Sequence, residues 1–376
     1  MGLDLPLTQR KILSALSGLP LEVTSGRQLS SVTAVLRGAH PGPAVLLRAD
    51  MDALPGRETS GEPFSARDAS SVHSCGHDLH VAALVGAARL LASRRERLHG
   101  DVVLMFQPGE EGYGGAALML GEGVLDAAGS RVVAAYALHV LSSVLPRGAI
   151  ATRSGPLLAA ADLVRVTVHG RGGHGSQPHL ARDPVVGAAA MVLALQSLVT
   201  REFDVFDPVV LNVGVFHAGT HHNAVPDRAS FEISIRSLTS VARERVLSGI
   251  HRTVAGLASG HGLHAEITPE ELFPVTVTDS AETAFALRVA RDAVGADRVV
   301  ELPNPVTASE DFSLVLREVP GAFVLFGACP AGADPAKAPA NHAADAAFDD
   351  AVLPQAAALL ADLAERRLSV PRPGPD

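Results

Sequence analysis

Apolar runs and helical patterns alternate along the first third of the chain. Short apolar runs predict strands at 44–47 (AVLL), 101–106 (DVVLMF) and 131–138 (RVVAAYAL), and 81–91 has the apolar content of a helix buried on most faces. Strands that alternate with helices predict an α/β sheet that is largely parallel. Because the strands are almost continuously apolar, we expect both faces of the sheet to be covered.

The middle of the chain has a different pattern, in which polar and apolar residues alternate. Residues 161–169 (ADLVRVTVH), 209–216 and 229–236 are typical of half-exposed strands, and 264–268 predicts a fourth strand. Helices are predicted at about 184–199 and 241–259. The resulting order, β-α-β-β-α-β, is that of a ferredoxin-like α+β unit over roughly residues 160–270.

Helical and strand patterns return after residue 270, with helices predicted at 281–294 and 352–367 and a strand at 322–326. The length of 376 residues exceeds the roughly 250–300 residues at which single cores stop growing, so two domains are expected. We predict one α/β domain from 1–159 and 271–376, with a mostly parallel mixed sheet and helices on both faces. The ferredoxin-like domain, 160–270, is inserted into it, and 370–376 are predicted to be a tail.

Composition and charge exclude several classes of function. Hydrophobic residues make up 47% and charged residues 19% of the chain, which excludes global disorder. The net charge of −9 leaves no basic footprint for nucleic acid. No apolar stretch of about 18 residues lacks a charge, so we expect no membrane-spanning helix and no membrane partner. Two cysteines cannot form a disulfide framework, and with no signal-peptide pattern at the start we expect a cytoplasmic protein.

The segment HSCGHD, residues 73–78, is the first candidate for chemistry. Cys75 and His77 are separated by one glycine, which lets two side chains converge on one centre. Thiolate and imidazole are standard ligands of zinc and related metals. A lone cysteine is more often a buried structural thiol, but the neighbouring histidines and Asp78 favour a metal site here.

Three further groups of candidate side chains lie close to predicted strand ends. Asp50 and Asp52 follow the first strand, Glu110 and Glu111 follow the second, and His139 follows the third. Ligands of open α/β sheets bind outside the carboxyl ends of the strands. Adjacent glutamates often form only a charged surface, and an isolated histidine often lies in a core. Their common position after strands nevertheless favours a site.

Together these residues predict metal-assisted hydrolysis. One of two adjacent carboxylates can bind a metal while the other accepts a proton from water. With five or more ligands, two metal ions about 3.5–4 Å apart are plausible. The ligand types suit zinc, nickel and cobalt, and the carboxylates also admit manganese.

Six strings occur in an order that resembles a known family. RADMDALP, HSCGHD, FQPGEEG, GRGGHGSQPH, SEDF and PGAFVLFG cover about residues 44–349. They are similar to amidohydrolases of the hippurate hydrolase and indole-acetyl-amino-acid hydrolase type, in the aminoacylase and carboxypeptidase G superfamily. The resemblance implies a di-metal catalytic domain interrupted by a ferredoxin-like lid that dimerises. The stretch NHAADAAFDD, residues 341–350, differs from the family pattern.

The resemblance also implies roles for individual residues. Glu110 would be the general base, and Asp50 would orient a ligand imidazole. In the inserted domain, His174 would serve the partner subunit's site, Asn223 would lie near the substrate, and Arg236 would bind the substrate carboxylate, which its planar guanidinium suits. The implied metal ligands are Cys75, His77, Glu111, His139 and His342.

The expected reaction is hydrolysis of an N-acyl amino acid, hippurate-like or N-acetylated, to a carboxylic acid and a free amino acid. The expected cofactors are two divalent metal ions per subunit, and the expected assembly is a homodimer or higher homo-oligomer through the inserted domain. A dipeptidase or an N-acetyl-diamino-acid deacetylase with the same machinery is an alternative. A metal-binding protein without catalysis is a third, which the presence of Glu110 disfavours.

Overall fold

A computed structural model describes residues 1–66 and 70–369. Residues 67–69 and the predicted tail, 370–376, lie outside the described residues. The α-helices of the described residues are α1 (Pro6–Leu16), α2 (His77–Ser93), α3 (Gly115–Gly121), α4 (Pro184–Glu202), α5 (Ser240–Gly260), α6 (Ser280–Val294), α7 (Phe312–Glu318) and α8 (Leu353–Leu368). Short 3-10 helices occur at Arg95–Arg97, Val124–Asp126, Pro178–Leu180, Ala296–Arg298 and Asp350–Val352.

The strands of the first half of the chain are β1 (Leu21–Ser25), β2 (Val32–Leu36), β3 (His40–Asp50), β4 (Leu54–Pro55), β5 (Ser71–Val72), β6 (His99–Gln107), β7 (Ala134–Leu141), β8 (Ile150–Thr152), β9 (Gly155–Leu158) and β10 (Ala160–His169). The remaining strands are β11 (Gly173–His174), β12 (Val210–Ala218), β13 (Ala224–Val225), β14 (Arg228–Ser237), β15 (His264–Phe273), β16 (Thr276–Thr278), β17 (Val299–Glu301) and β18 (Gly321–Gly327).

The chain divides into two compact units. The first comprises the described residues within 1–157, 277–304 and 311–376, and the second comprises 158–276 and 305–310. The boundaries lie within a few residues of the predicted 159/160 and 270/271 junctions, except for 305–310. That short segment joins the second unit through an isolated parallel bridge between Leu158 and Val306.

The first unit is built on an eight-stranded sheet with the order β1-β2-β6-β3-β7-β18-β8-β17. The four central strands, β6, β3, β7 and β18, run parallel to one another. At one edge β2 is antiparallel to β6 and to β1, and on the other side β8 is antiparallel to β18 and parallel to β17. This confirms the predicted mostly parallel mixed sheet.

Both faces of this sheet are covered, which explains why its strands are apolar throughout. Successive side chains of a strand point to opposite faces. From β3, Val45 and Leu47 pack in a core with Leu84 of α2 and Leu360 of α8. On the other face, the Arg48 guanidinium lies 5.8 Å from the ring centre of Phe312, in α7.

The second unit contains a four-stranded antiparallel sheet with the order β12-β14-β10-β15. Along the chain, the order β10-α4-β12-β14-α5-β15 is the predicted ferredoxin-like pattern, with the short strands β11 and β13 added between its elements. One face of the sheet packs on α4 and α5, where Val166 and Phe231 meet Met191 and Val246.

Side-chain caps set the starts of both helices of the second unit. The Asp183 carboxylate accepts a hydrogen bond from the Val185 N–H at 2.9 Å, just before Pro184 begins α4. The Thr239 hydroxyl accepts from the Ala242 N–H at 3.0 Å at the start of α5. Such caps satisfy N–H groups that have no partner within the helix.

One helix of the described residues, α4, is long and apolar enough to cross a membrane by length and composition alone. Core helices of water-soluble proteins have the same properties. In the structure, the buried residues of α4, among them Ala188 and Leu195, pack into the core of the second unit.

Candidate metal centre

The candidate site of the first unit forms where the ends of three neighbouring strands meet the start of α2. Asp50 is the last residue of β3, Glu110 and Glu111 follow β6, and α2 begins at His77. His139 lies inside β7, two residues before its end, and not after the strand as its apolar run predicted. The side chains therefore converge at the edge where ligands of open α/β sheets bind.

Gly76 allows Cys75 and His77 to face the same centre. Its φ of 82° lies in the left-handed region, which residues with a Cβ rarely adopt. A Cβ built on Gly76 would lie 2.4 Å from Val140 Cγ2, so the loop packs against β7 more closely than any side chain permits. Glycine is thus required both for the turn and for the contact.

Each of the five candidate ligands lies within 4 Å of at least one other. Cys75 Sγ is 3.4 Å from His139 Nε2 and 3.2 Å from His342 Nε2. Glu111 Oε1 is 3.3 Å from His342 Nε2 and 3.9 Å from His77 Nε2. Among the groupings able to hold an ion are Cys75–His77–His139 and Cys75–Glu111–His342, each with ligand atoms within 4.8 Å of one another.

These spacings fit divalent metal ions. Two ligands at about 2.0–2.3 Å from one tetrahedral ion lie about 3.5 Å apart, close to the separations around Cys75. Buried polar atoms almost always have hydrogen-bond partners. His77 Nε2 and Glu111 Oε1 are buried and have none among the described residues. Both atoms face the same group of candidate ligand atoms, which is the arrangement expected of residues that bind a metal ion.

The two buried imidazoles are oriented by backbone carbonyls. His77 Nδ1 donates to the Asp52 carbonyl oxygen at 3.1 Å, and His139 Nδ1 donates to the Val140 carbonyl oxygen at 2.9 Å. A proton held on Nδ1 leaves Nε2 as the free lone pair. Such contacts fix the tautomer and ring orientation of metal-binding histidines.

The electrostatics of the site favour a thiolate. Burial alone would raise the pKa of Cys75, but the neighbouring His139 and His77 hold it well below its usual value. Burial raises the pKa of Glu111, against the opposing effect of the His342 imidazole 3.3 Å away. The hydrogen bond of His342 with Cys75 and its close contact with Glu111 raise the pKa of His342 to about 10.

Asp50 contacts a histidine outside the predicted ligand set. Its Oδ1 is 2.5 Å from His80 Nδ1, and its Oδ2 accepts from Arg48 Nη1 at 2.6 Å. His80 Nε2 accepts the Val140 N–H at 2.8 Å, so neither nitrogen of this ring is left for a metal. Asp50 Oδ2 lies 3.7 Å from His77 Nε2, on the side of that ring that faces the site.

Asp52 holds the segment that carries the two glutamates. Its Oδ1 accepts the Glu110 N–H at 3.2 Å and its Oδ2 accepts the Glu111 N–H at 3.1 Å. Its carbonyl oxygen orients His77, as described above. One buried residue thus connects the end of β3 with two other parts of the site.

The second unit carries the other three predicted residues. His174 lies in β11, exposed, and its Nδ1 accepts from the Ser176 N–H at 3.1 Å, which places the ring proton of the neutral imidazole on Nε2. The Asn223 backbone carbonyl accepts the Gly175 N–H at 2.8 Å, so the segments that carry His174 and Asn223 are hydrogen-bonded to each other. Arg236, in β14, is half-buried, and its Nη1 has no hydrogen-bond partner among the described residues.

The structure thus brings together all seven predicted residues of the first unit: Asp50, Cys75, His77, Glu110, Glu111, His139 and His342. Sequence reasoning gave no role to Asp52, His80 or Asn341, which lie around them. His80 had a signal, because it lies one helical turn after His77 on the same face. Asp52 was noted as a candidate but without a role, and Asn341 had no signal apart from its place beside His342.

Comparison with known families gives a match over most of the chain. Residues 46–366 match the model described as peptidase family M20/M25/M40. Thermostable carboxypeptidase 2 of Saccharolobus solfataricus is 36% identical over 324 residues, 85% of this chain and 80% of the relative. Hippurate hydrolase of Campylobacter jejuni is 33% identical over 315 residues, 83% of this chain and 80% of the relative.

A solved structure agrees with these relatives. The Bacillus subtilis YXEP protein, described as a dinuclear metal binding peptidase from the M20 family, superimposes with a TM-score of 0.82 at 30% identity. The match covers 97% of this chain and 93% of that protein. The resemblance to hippurate hydrolase inferred from the six strings is therefore confirmed, as is the predicted fold.

Proposed function

The chain belongs to peptidase family M20/M25/M40, and from this premise we propose that it hydrolyses the amide bond of N-acyl amino acids with two divalent metal ions. The observation that carries the proposal is the convergence of a thiol, three imidazoles and a carboxylate on one point, with Glu110 beside them. Hippurate, the substrate named for one relative, is an N-acyl amino acid, which supports the substrate class.

We assign the five ligands to two centres that share Cys75. His77 and His139 would complete the first centre, and Glu111 and His342 the second. When bound, the ions would supply Lewis acidity that polarises the amide carbonyl and acidifies a water molecule. Thiolate and imidazole favour zinc, nickel or cobalt, and the glutamates also admit manganese.

Glu110 would move the proton. It lies buried next to Glu111, and its N–H is held by Asp52, so its position is set by the protein. In the forward reaction it takes a proton from the attacking water and then gives it to the nitrogen of the leaving amino acid, as a general acid–base catalyst does.

His174 would stabilise the negative charge on the tetrahedral oxygen in the partner subunit's site. Because its Nδ1 accepts the Ser176 N–H, its Nε2–H is available as a donor. One such donor typically contributes about 10²–10³ in rate. Arg236, whose buried Nη1 has no hydrogen-bond partner in the described part of the chain, would bind the substrate carboxylate. Asn223 would contact the substrate near the reacting amide.

The decisive experiment joins metal analysis to a substrate panel. Metal-free protein is assayed with each of the four metals added back, on hippurate, N-acetyl amino acids, N-acetyl diamino acids, dipeptides and longer peptides. We expect two ions per chain and the highest kcat/KM on an N-acyl amino acid. Preference for dipeptides or N-acetyl diamino acids would select those alternatives, and preference for longer peptides would favour a carboxypeptidase like the thermostable relative. Metal binding without any hydrolysis would refute the enzymatic assignment.

The variant Glu110→Gln tests the proposed base. Glutamine keeps the shape of the side chain but cannot accept the proton, so we expect unchanged metal content and a loss of about 10²–10⁴-fold in kcat. The exposed Glu301, in β17, provides the matched control, Glu301→Gln. A rate near that of the wild type in Glu110→Gln would show that another group is the base.

We also propose a homodimer formed through the second unit. Its edge strand, β12, exposes Val210, Val215 and Phe216 together with unpaired backbone groups, and such an edge can pair with a second copy. Light scattering on the purified protein measures the mass directly, and a monomer at micromolar concentration would contradict the proposal.

A cytoplasmic location is proposed from the thiol chemistry. Cys75 and Cys329 are both free, and a thiolate ligand at Cys75 has to remain reduced. Reducing compartments keep thiols in that state. Recovery of the native protein mainly outside the cytoplasm on cell fractionation would overturn this assignment.

A further inference from the structure

The Asn341 side chain uses its full hydrogen-bonding capacity beside the candidate metal centre. Its Nδ2 donates to the Cys75 carbonyl at 3.2 Å and to the Val140 carbonyl at 2.9 Å. Its Oδ1 accepts from the Ser142 N–H at 3.0 Å and from the Ser142 hydroxyl at 3.1 Å, whose proton is shared with the Pro339 carbonyl at 2.8 Å. An asparagine amide has two donors and a carbonyl oxygen with two lone pairs, so all four are satisfied.

This pattern also fixes the orientation of the amide. With oxygen and nitrogen exchanged, the oxygen of Asn341 would face two carbonyls and its NH₂ would face the Ser142 N–H. Three of the four hydrogen bonds would be lost, because only the hydroxyl of Ser142 could change its role. The assignment therefore follows from the backbone groups alone.

The four bonds tie together the segments that carry three of the proposed ligands. The Cys75 carbonyl belongs to a ligand residue itself, and Val140 follows His139 directly in β7. Asn341 precedes His342, so its own backbone carries the third ligand. Cys75 is also held by the turn at Gly76, and His139 lies within β7, so a displacement of this amide would mainly move His342 relative to both.

His342 is held in a strained backbone conformation. Its φ of 75° lies in the left-handed region, which non-glycine residues adopt only where their surroundings enforce it. The His342 N–H donates to the Ser74 carbonyl at 2.8 Å, and Asn341 anchors the preceding residue. In this conformation Nε2 reaches both Cys75 Sγ and Glu111 Oε1.

We propose that Asn341 is a positioning residue for the second of the two metal centres, acting through His342. The inference rests on the proposed function, because it presupposes that Cys75, Glu111 and His342 bind an ion. Asn341 has both of its donors engaged by carbonyls, so it does not act on substrate. Groups that orient metal ligands typically contribute 10- to 100-fold to metal affinity.

The variant Asn341→Asp keeps the acceptor oxygen of the side chain but removes its NH₂ donor. The carboxylate can still accept from Ser142, but its other oxygen faces the carbonyls of Cys75 and Val140 with no proton to donate. We expect the second ion to bind about 10- to 100-fold more weakly. The first ion, at His77 and His139 with Cys75, should lose much less.

Two further variants keep the test decisive. Ser142→Ala removes the hydroxyl that bonds to Asn341 and to the Pro339 carbonyl, both in the segment that carries His342. We expect a two- to tenfold weakening of the second ion, the effect of about one hydrogen bond, because a single hydroxyl proton serves both acceptors. Asn304→Asp makes the same chemical change as Asn341→Asp at an exposed position, and we expect no effect on either ion.

The measurement is a cobalt(II) titration of metal-free protein against a competing chelator, with circular dichroism to verify folding. Thiolate-to-cobalt absorption reports ligation by Cys75, and calorimetry counts the two ions. Selective weakening of the second ion in Asn341→Asp supports the proposal. Wild-type affinity for both ions in folded Asn341→Asp overturns it, as does equal weakening in Asn304→Asp.

Two further outcomes also decide between supporting and overturning the proposal. If Asn341→Asp does not fold, the affinity of Ser142→Ala for the second ion supports or overturns the proposal in its place. If the wild type binds no cobalt, the proposed function fails and this inference falls with it. A failure of the inference alone is recognised by two tightly bound ions in both the wild type and the variant.

Discussion

The substitution Asp52→Asn tests whether the site depends on residues that bind neither metal nor substrate. Asp52 is 1% exposed, and its two carboxylate oxygens accept the N–H groups of Glu110 and Glu111 at 3.2 and 3.1 Å. Asparagine keeps one acceptor oxygen and turns an NH₂ group towards the other N–H. The carbonyl of residue 52, which orients His77, is unchanged.

The structure sets the size of the expected effect. A hydrogen bond to a charged group contributes about 1.5–3 kcal/mol net, and asparagine loses one of the two. At about 1.4 kcal/mol for each factor of ten, the loss corresponds to roughly 10- to 150-fold in rate if it acts wholly on the placement of Glu110. Because neither Asp52 nor the two glutamates is proposed to bind the substrate carboxylate, we expect kcat to fall and KM to change little.

The assay is steady-state hydrolysis at saturating metal, with metal content measured on the same samples. The exposed Asp350 allows a matched control, Asp350→Asn, which should behave as the wild type. A kcat of Asp52→Asn within twofold of the wild type, at equal metal content, would refute the reasoning that this carboxylate positions the glutamates. A change confined to KM would refute it as well.

Three other perturbations have defined outcomes. Nearly inactive His174→Ala and Glu110→Ala proteins should regain activity when mixed, because a heterodimer would contain one site with both residues intact; no recovery after verified subunit exchange would argue against a trans site. Arg48→Met removes a fully buried cation from two buried carboxylates, so the free energy of unfolding should fall by about 3–5 kcal/mol, and an unchanged thermal midpoint would contradict this. Burial lowers the pKa of His80 to about 4, against the opposing effect of the neighbouring carboxylate. Between pH 6.5 and 4, His80 is therefore protonated in the unfolded chain but neutral in the folded one, so the stability that the neutral His80 contributes, about 3 kcal/mol, should be lost as the pH falls. If a His80→Gln variant showed the same acid dependence in chemical unfolding, this loss could not be assigned to His80.

Much of the candidate site could be predicted from sequence because parallel strands bring their carboxyl ends to one edge. Asp50, Glu110 and His139 are far apart along the chain, yet each lies at or near the end of an apolar run. Apolar runs are local signals, and the edge is a general property of the fold. The convergence of these residues therefore needed no knowledge of tertiary contacts.

The residues that support the ligands could not be predicted in the same way. The Asp52 carboxylate bonds to the backbone of Glu110 and Glu111, which are 58 and 59 positions further along the chain. His80 bonds to the backbone of Val140, which is 60 positions further along. Such partners depend on how closely two segments approach, which hydrophobic periodicity does not report. The resemblance assigned an orienting role to Asp50, whereas the carbonyl of Asp52 holds Nδ1 of His77.

The assignment of residues 305–310 to the second unit could not be predicted from the sequence either. The segment 305–310 belongs with the second unit through one bridge, between Leu158 and Val306, and through backbone bonds from the Ala159 N–H. A bridge of one residue pair is too short to produce the alternation of polar and apolar residues that predicts a strand. Strands long enough to show a pattern, such as β10 and β14, were predicted close to their observed positions.

His342 shows how geometry can support a candidate ligand where the sequence pattern is weakest. Its segment, NHAADAAFDD, departs from the family strings, yet its Nε2 lies 3.2 Å from Cys75 Sγ. A left-handed backbone at a histidine is unfavourable by itself, so the surrounding bonds have to over-determine it. Those bonds come from Asn341 and from the His342 N–H to Ser74. Because strain of this kind persists only where other contacts enforce it, the φ of 75° is independent support for a functional position at residue 342.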